Sequence, residues 1–259
     1  MSQEGPILVR VEDGVCWISI NRPDKSNAIT SEMLDLMREA LDVADKDISI
    51  GCVVIAGAGD RAFSAGADIT NLGQFSSEEA REFSMKGHQT FTRILTLSKP
   101  VVAAVNGYAL GGGCELAMVC DFRIASEKAR FGQTEINLGL VPGWGATALL
   151  HRLVGPLKAR EMIMTGLSLT AEEALRAGLI NRAVPADKFL DEVRTFASNL
   201  AKGPRLALSE AKKLINMELV SGNVLAAEAE SFGRLFSTGD FREGVAAFRE
   251  KRKPRFTGR

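Results

Sequence analysis

Val101-Val102-Ala103-Ala104-Val105-Asn106-Gly107-Tyr108-Ala109-Leu110-Gly111-Gly112-Gly113-Cys114-Glu115-Leu116-Ala117 is the stretch that decides the fold. Lys99-Pro100 precedes it and stops whatever helix comes before. Val101–Val105 is a short continuous apolar run, the pattern of a strand buried on both faces. Asn106-Gly107 follows, and then three glycines. Cys114–Cys120 is short and apolar and reads as a buried helix. A glycine run between a strand and a helix bares backbone N–H groups at the helix start, where the helix dipole favours negative charge. Glu115 falls in that first turn. It is either an acid placed to suit the dipole or a buried acid with a function, because buried acids need a partner or a role. Spacing alone leaves both readings open.

The same alternation extends outward. Ile7–Val11 and Val15–Ile20 flank Glu12-Asp13-Gly14, and Asp-Gly is a hairpin signal. Ser31–Asp45 carries Met33, Leu34, Met37, Leu41 and Val43 near helical spacing. Cys52–Ile55 reads as a buried strand, and Ser76-x-x-Glu79 is a capping box opening a helix that reaches about Leu97. Phe122–Ala125 and Arg130–Gly132 read as strands. Paired strands alternating with helices predict an α/β core over residues 1–195. Residues 196–259 form a second, helical region, with the pattern changing after Pro204. Leu206–Leu219, Asn223–Ser237 and Phe241–Glu250 read as helices with no strand between them. Their apolar residues, including Leu225, Phe232, Phe236 and Phe248, require a covered face, on the core or on another subunit.

Composition narrows the function. Lys plus Arg is 32 and Asp plus Glu is 32 in 259 residues, so the formal charge is zero. That balance argues against nucleic-acid or polybasic membrane binding. No apolar run approaches the ~18 residues needed to span a bilayer, and the opening residues lack a targeting pattern. A cytoplasmic location is the simplest expectation. Cys16, Cys52, Cys114 and Cys120 have no metal or redox spacing and read as small buried hydrophobes. His88 and His151 belong to no zinc motif and read as structural. The chain also lacks a Gly-x-Ser-x-Gly elbow, a P-loop and a Gly-x-Gly-x-x-Gly fingerprint.

Two further segments could do chemistry. Ser64-Ala65-Gly66-Ala67-Asp68 is a second loop with exposed backbone, or else a tight turn whose Asp caps the next segment. Glu135, in Phe131-Gly132-Gln133-Thr134-Glu135-Ile136, reads from its neighbours as a surface loop acid. Two such loops with two embedded acids could together bind a carbonyl and perform acid–base work.

These segments resemble the crotonase superfamily. The resemblance rests on Phe63–Ile69, Asn106–Ala117, Phe131–Gly139 and Glu243-Gly244-Val245-Ala246-Ala247-Phe248-x-Glu250-Lys251-Arg252, and runs from Asn21-Arg22-Pro23 to Phe256. It implies a spiral of ββα turns followed by a C-terminal helical trimerisation region, assembled as a homotrimer or a hexamer of paired trimers. It implies an acyl-CoA substrate, with coenzyme A as part of that substrate and no separate cofactor or metal. By matching positions, it gives the N–H groups of Ala67 and Gly112 to an oxyanion hole and makes Glu115 and Glu135 the catalytic carboxylates. Ala65, Gly66, Asp68 and Ile69 would line the CoA channel, and Phe248 and Lys251 would reach CoA in a neighbouring subunit. Superfamily isomerases generally keep one of the two acids; both are present here, as in the enoyl-CoA hydratase branch. Gly145-Ala146-Thr147-Ala148-Leu149-Leu150 departs from the usual pattern, and Trp144 is bulky for its place, which bears on acyl-chain preference.

Overall fold

Asp13 and Gly14 have φ of 50° and 75°, the left-handed pair that a two-residue hairpin needs. They join β1 (Ile7–Glu12) to β2 (Val15–Ile20), paired antiparallel with Ile7 opposite Ile20. The computed structural model describes residues 4–220 and 224–257. Asn223, the expected first residue of one helix, lies outside them.

In α1 (Ser31–Lys46), the Thr30 side chain caps the first turn by accepting from Met33 N, and Met33, Leu34, Met37 and Leu41 form the buried stripe. Three ββα turns follow. The first is β3 (Cys52–Gly57), β4 (Ala62–Ser64), α2 (Ile69–Leu72) and α3 (Ser77–Thr96). The capping box at Ser76 and Glu79 is formed in both directions. The second is β5 (Val101–Val105), β6 (Tyr108–Leu110) and α4 (Gly112–Val119). The third is β7 (Phe122–Ser126), β8 (Arg130–Gly132), a 3-10 turn at Glu135–Leu138, and α5 (Ala146–Thr165), which kinks at Gly155-Pro156. Then come β9 (Ser168–Thr170), α6 (Ala171–Arg176), β10 (Arg182–Val184), α7 (Phe189–Ala201), α8 (Arg205–Val220), α9 (Val224–Leu235) and α10 (Gly239–Arg249).

Each turn gives one strand to each of two sheets. The larger sheet has the order β1-β2-β3-β5-β7-β10 and is parallel from β2 onward. The smaller has the order β4-β6-β8-β9. The central strands β3 and β5 are apolar on both faces because both are covered. Val53 and Ile55 face the main core, while Cys52 and Val54 face a second core that α7 closes with Phe189, Val193 and Ala197. All four cysteines are free and buried.

The C-terminal helices return to this body. Helices α8 and α9 pack along α3, and α10 packs on the 135–138 turn. Among the described residues no helix is long and apolar enough to cross a membrane. The spiral brings three chain ends to one place: the exit of β4, the start of α4 and the turn after β8.

Candidate active site

The exit of β4 is laced to the segment before α1. Ala65 N donates to Ser26 O at 2.9 Å, Ile29 N donates to Gly66 O at 2.8 Å, and Asp68 N donates to Ile29 O at 2.9 Å. Ser64 Oγ donates to Asn27 O and accepts from Gly66 N. Gly66 has φ +91°, and a Cβ there would sit 2.9 Å from Gly112 N and 2.8 Å from Leu110 O. Only glycine lets this loop lie against the start of α4. Gly112 is equally constrained, since a Cβ on it would lie 2.3 Å from the Trp144 ring. Among the described residues neither the Ala67 N–H nor the Gly112 N–H has an acceptor. Buried amides are almost always paired, so the unpaired N–H of buried Gly112, with that of half-buried Ala67 on the adjoining loop, suits a ligand oxygen.

Glu115 is 1% exposed. Its Oε1 accepts from Trp144 N at 2.9 Å and from Ala146 N at 2.8 Å. Burial, then the negative charges of Glu135 and Glu228, push its carboxyl well above the ordinary value. Glu135 opens the turn after β8 and lies against the same glycine loop: a Cβ on Gly111 would be 2.9 Å from its Oε1. Its Oε2 is out of solvent with no hydrogen-bond partner among the described residues. Burial above all, with the charge of Glu228 adding to it, raises Glu135 from 4.5 to about 7. Glu135 is half-buried, but its carboxyl turns inward against the glycine loop, so the surface-loop reading does not hold for the carboxyl.

These parts line one pocket of about 470 Å³. Its walls include Ala65, Gly66, Ala67, Ile69, Gly112, Glu115 and Glu135. Seven of the ten site residues taken from the sequence therefore converge. Asp68 is turned away: it pairs with Arg22 at 2.9 Å and accepts from Thr70 N, which holds the loop, and both contacts keep its carboxyl below the ordinary value. Phe248 is 61% exposed and Lys251 is exposed, and neither lines the pocket of its own chain.

Of the remaining residues at the site, Phe232 and Glu228 carry no local signal in the sequence, whereas Trp144 stands out by its bulk. Trp144 is buried against Phe83 and Phe91, edge to face at 5.3 and 5.4 Å, and lines the pocket. Phe232 reaches the pocket from α9. Glu228, also on α9, is 4% exposed. Its Oε1 accepts from Gly145 N at 2.6 Å and meets His88 Nε2 at 3.0 Å. Its Oε2 accepts from Thr147 N at 3.1 Å and from the Thr147 hydroxyl. Among the described residues no group of three or more His, Cys, Asp or Glu side chains is placed to hold a metal ion.

Residues 10–259 match the family model described as enoyl-CoA hydratase/isomerase. The chain belongs to the enoyl-CoA hydratase/isomerase family. Within that family it is 42% identical over 252 residues to a crotonyl-CoA hydratase of Syntrophomonas wolfei, covering 96% of this chain and 97% of that one. It is 41% identical over 249 residues to a short-chain-enoyl-CoA hydratase of Clostridium acetobutylicum, covering 95% of each. The crystal structure of an enoyl-CoA hydratase from Mycobacterium avium subsp. paratuberculosis superimposes with a TM-score of 0.88 at 35% identity, covering 98% of this chain and 99% of that one. The two-sheet spiral is thus the fold of this family, as the motifs around the glycine loop imply.

Proposed function

We propose that this protein is an enoyl-CoA hydratase, adding water across the C2=C3 bond of a trans-2-enoyl-CoA to give a 3-hydroxyacyl-CoA, reversibly. The observation that carries the reading is one pocket holding two raised carboxyls, Glu115 and Glu135, beside the unpaired N–H groups of Ala67 and Gly112. The thioester oxygen accepts from those two N–H groups, and the α4 dipole adds to the field at Gly112. Negative charge grows on that oxygen as water reaches C3, and a single such donor is worth about 2.7–4 kcal/mol of transition-state stabilisation.

The carboxyls act as a unit that holds one proton between them. Two amide donors on Oε1 of Glu115 favour its anion. Burial of the Glu135 carboxyl, with no donor on Oε2, favours its acid, against the Glu135 and Thr134 amides, which favour its anion. In this reading Glu115 takes the proton of the attacking water, and Glu135 delivers one to C2. The chemistry needs no redox group; coenzyme A enters as part of the substrate.

The same reading extends to assembly. Leu206, Leu214, Ile215 and Phe248 are exposed apolar side chains of α8 and α10, which fits a homotrimer or a pair of trimers in which Phe248 and Lys251 complete a neighbour's CoA site. A cytoplasmic location accords with the bacterial relatives.

The test is turnover of trans-2-enoyl-CoAs of four to sixteen carbons, with products resolved by mass. A gain of one water supports hydration. A product of unchanged mass with a moved double bond would make the protein an isomerase, and no turnover on any thioester would overturn the reading.

A further inference from the structure

Four consecutive amides at the start of α5 are held by two carboxylates in alternation. Trp144 N and Ala146 N donate to Glu115, and Gly145 N and Thr147 N donate to Glu228. The N-cap of this helix is Gly145, at φ 116°, with no side-chain cap of its own. A helix start needs acceptors for its unpaired N–H groups, and here two other helices supply them: α4 through Glu115 and α9 through Glu228. A helix dipole amounts to about half a unit charge at the N-terminus. Two carboxyl groups therefore meet at one helix start, and Glu228 bears on Glu115 and Glu135 by charge as well.

We propose that Glu228, tied to His88, is a positioning residue of the hydratase centre: it clamps the amides of residues 145 and 147, fixes the segment that orients Glu115, and keeps the proton on the Glu115–Glu135 pair. The inference rests on the proposed hydratase reading. The acids of the pocket wall touch substrate; Glu228 acts through them. Its ionisable neighbours are His88 from α3, by hydrogen bond, and Glu115 and Glu135, by charge. Arg81 of α3 pairs with Glu230 instead. From α5 the contacts are backbone amides and the Thr147 hydroxyl. Glu228 therefore meets no guanidinium or ammonium partner among these groups, and its charge reaches the pair uncompensated except by the helix start and the imidazole.

The comparison is wild type, E228Q and E228D, with but-2-enoyl-CoA as the probe. Two measurements are made: turnover against pH, and carbon-13 NMR titration of labelled glutamate carboxyls. Removing the charge in E228Q makes the pair easier to ionise. Both limbs of the profile, and the titrating carboxyl signals, should move down by about one pH unit. Turnover at neutral pH should fall about tenfold, with KM for the thioester changed less than about twofold. E228D draws the charge back by one methylene and should shift both readouts in the same direction by less. Unmoved limbs and unmoved carboxyl signals in a folded E228Q, whatever its loss of turnover, would reduce Glu228 to a helix cap and overturn the inference. If E228Q does not fold, E228D decides by the same criterion. If wild type hydrates nothing, the hydratase reading fails, and the NMR titration alone judges the coupling.

Discussion

Replacing Glu135 by Gln separates catalysis from stability, because the two should change in opposite directions. Burial holds the Glu135 carboxyl at about 7 rather than 4.5. Between those two pH values the folded chain binds a proton that the unfolded chain has released. Stability contributed by this group is thus full below pH 4.5 and is lost progressively as pH rises toward 7. At about 1.4 kcal/mol per pH unit, the loss reaches about 3 kcal/mol above pH 7. Gln has no proton to lose, so E135Q escapes it. In a chain of this size 1 kcal/mol moves Tm by about 2–4 °C, so E135Q should melt roughly 6–12 °C above wild type at pH 8. Near pH 4 the two should melt together. Turnover of but-2-enoyl-CoA should meanwhile fall by about 10²–10⁴-fold, the usual worth of a general acid or base. Scanning calorimetry from pH 4 to 9, with a turnover assay on the same samples, checks both. A Tm difference that does not change with pH would show that Glu135 ionises as an ordinary carboxyl, and the assignment of Glu135 as proton donor would go with it.

Glu115→Gln should also lower turnover by about 10²–10⁴-fold while remaining folded, since its amide oxygen can still accept from the residue 144 and 146 amides; circular dichroism and a turnover assay check this, and near-wild-type rates would remove Glu115 from the mechanism. Trp144→Ala should destabilise by about 3–5 kcal/mol, measured by urea unfolding. Because the indole lines the pocket, this variant should raise kcat/KM on eight- to ten-carbon enoyl-CoAs relative to four-carbon ones, and an unchanged ratio would show that another wall sets chain length. Truncation before Phe248 should weaken both assembly, by light scattering, and CoA affinity; a fully active monomer would defeat the proposed trimer. Turnover should survive EDTA, and loss that added divalent metal restores would overturn the two-carboxylate chemistry.

How much of this was legible in the sequence depends on how local each determinant is. The hairpin at Asp13-Gly14, the Ser76–Glu79 capping box and the Val101–Val105 strand depend on neighbouring residues, and they stand where the sequence puts them. The glycine loop and Glu115 were visible as a pattern, and the resemblance added roles that spacing could not. Glu135 misled because its neighbours are turn-formers, whereas its burial comes from β8 and a loop over twenty residues earlier. The strands β4, β9 and β10 are only three residues each, too short for alternation to register. Glu228 was illegible for a different reason. Ala226-Ala227-Glu228-Ala229-Glu230 looks like an ordinary solvated helix face, and only the packing of α9 on α3 decides that Glu228 is inside.

Phe232 lines the pocket, and Glu228 holds the start of α5, from a helix that begins at Val224, whereas the loop after β4 is already complete at Ala67. A ribosome therefore makes every strand of both sheets well before it makes the last wall of the pocket. A nascent chain emerging through α7 would have its scaffold and both acids, yet no clamp on α5 and an open side where Phe232 belongs. Activity should switch on late in synthesis, and a message cut short before Val224 should release a polypeptide that is folded in part and catalytically silent.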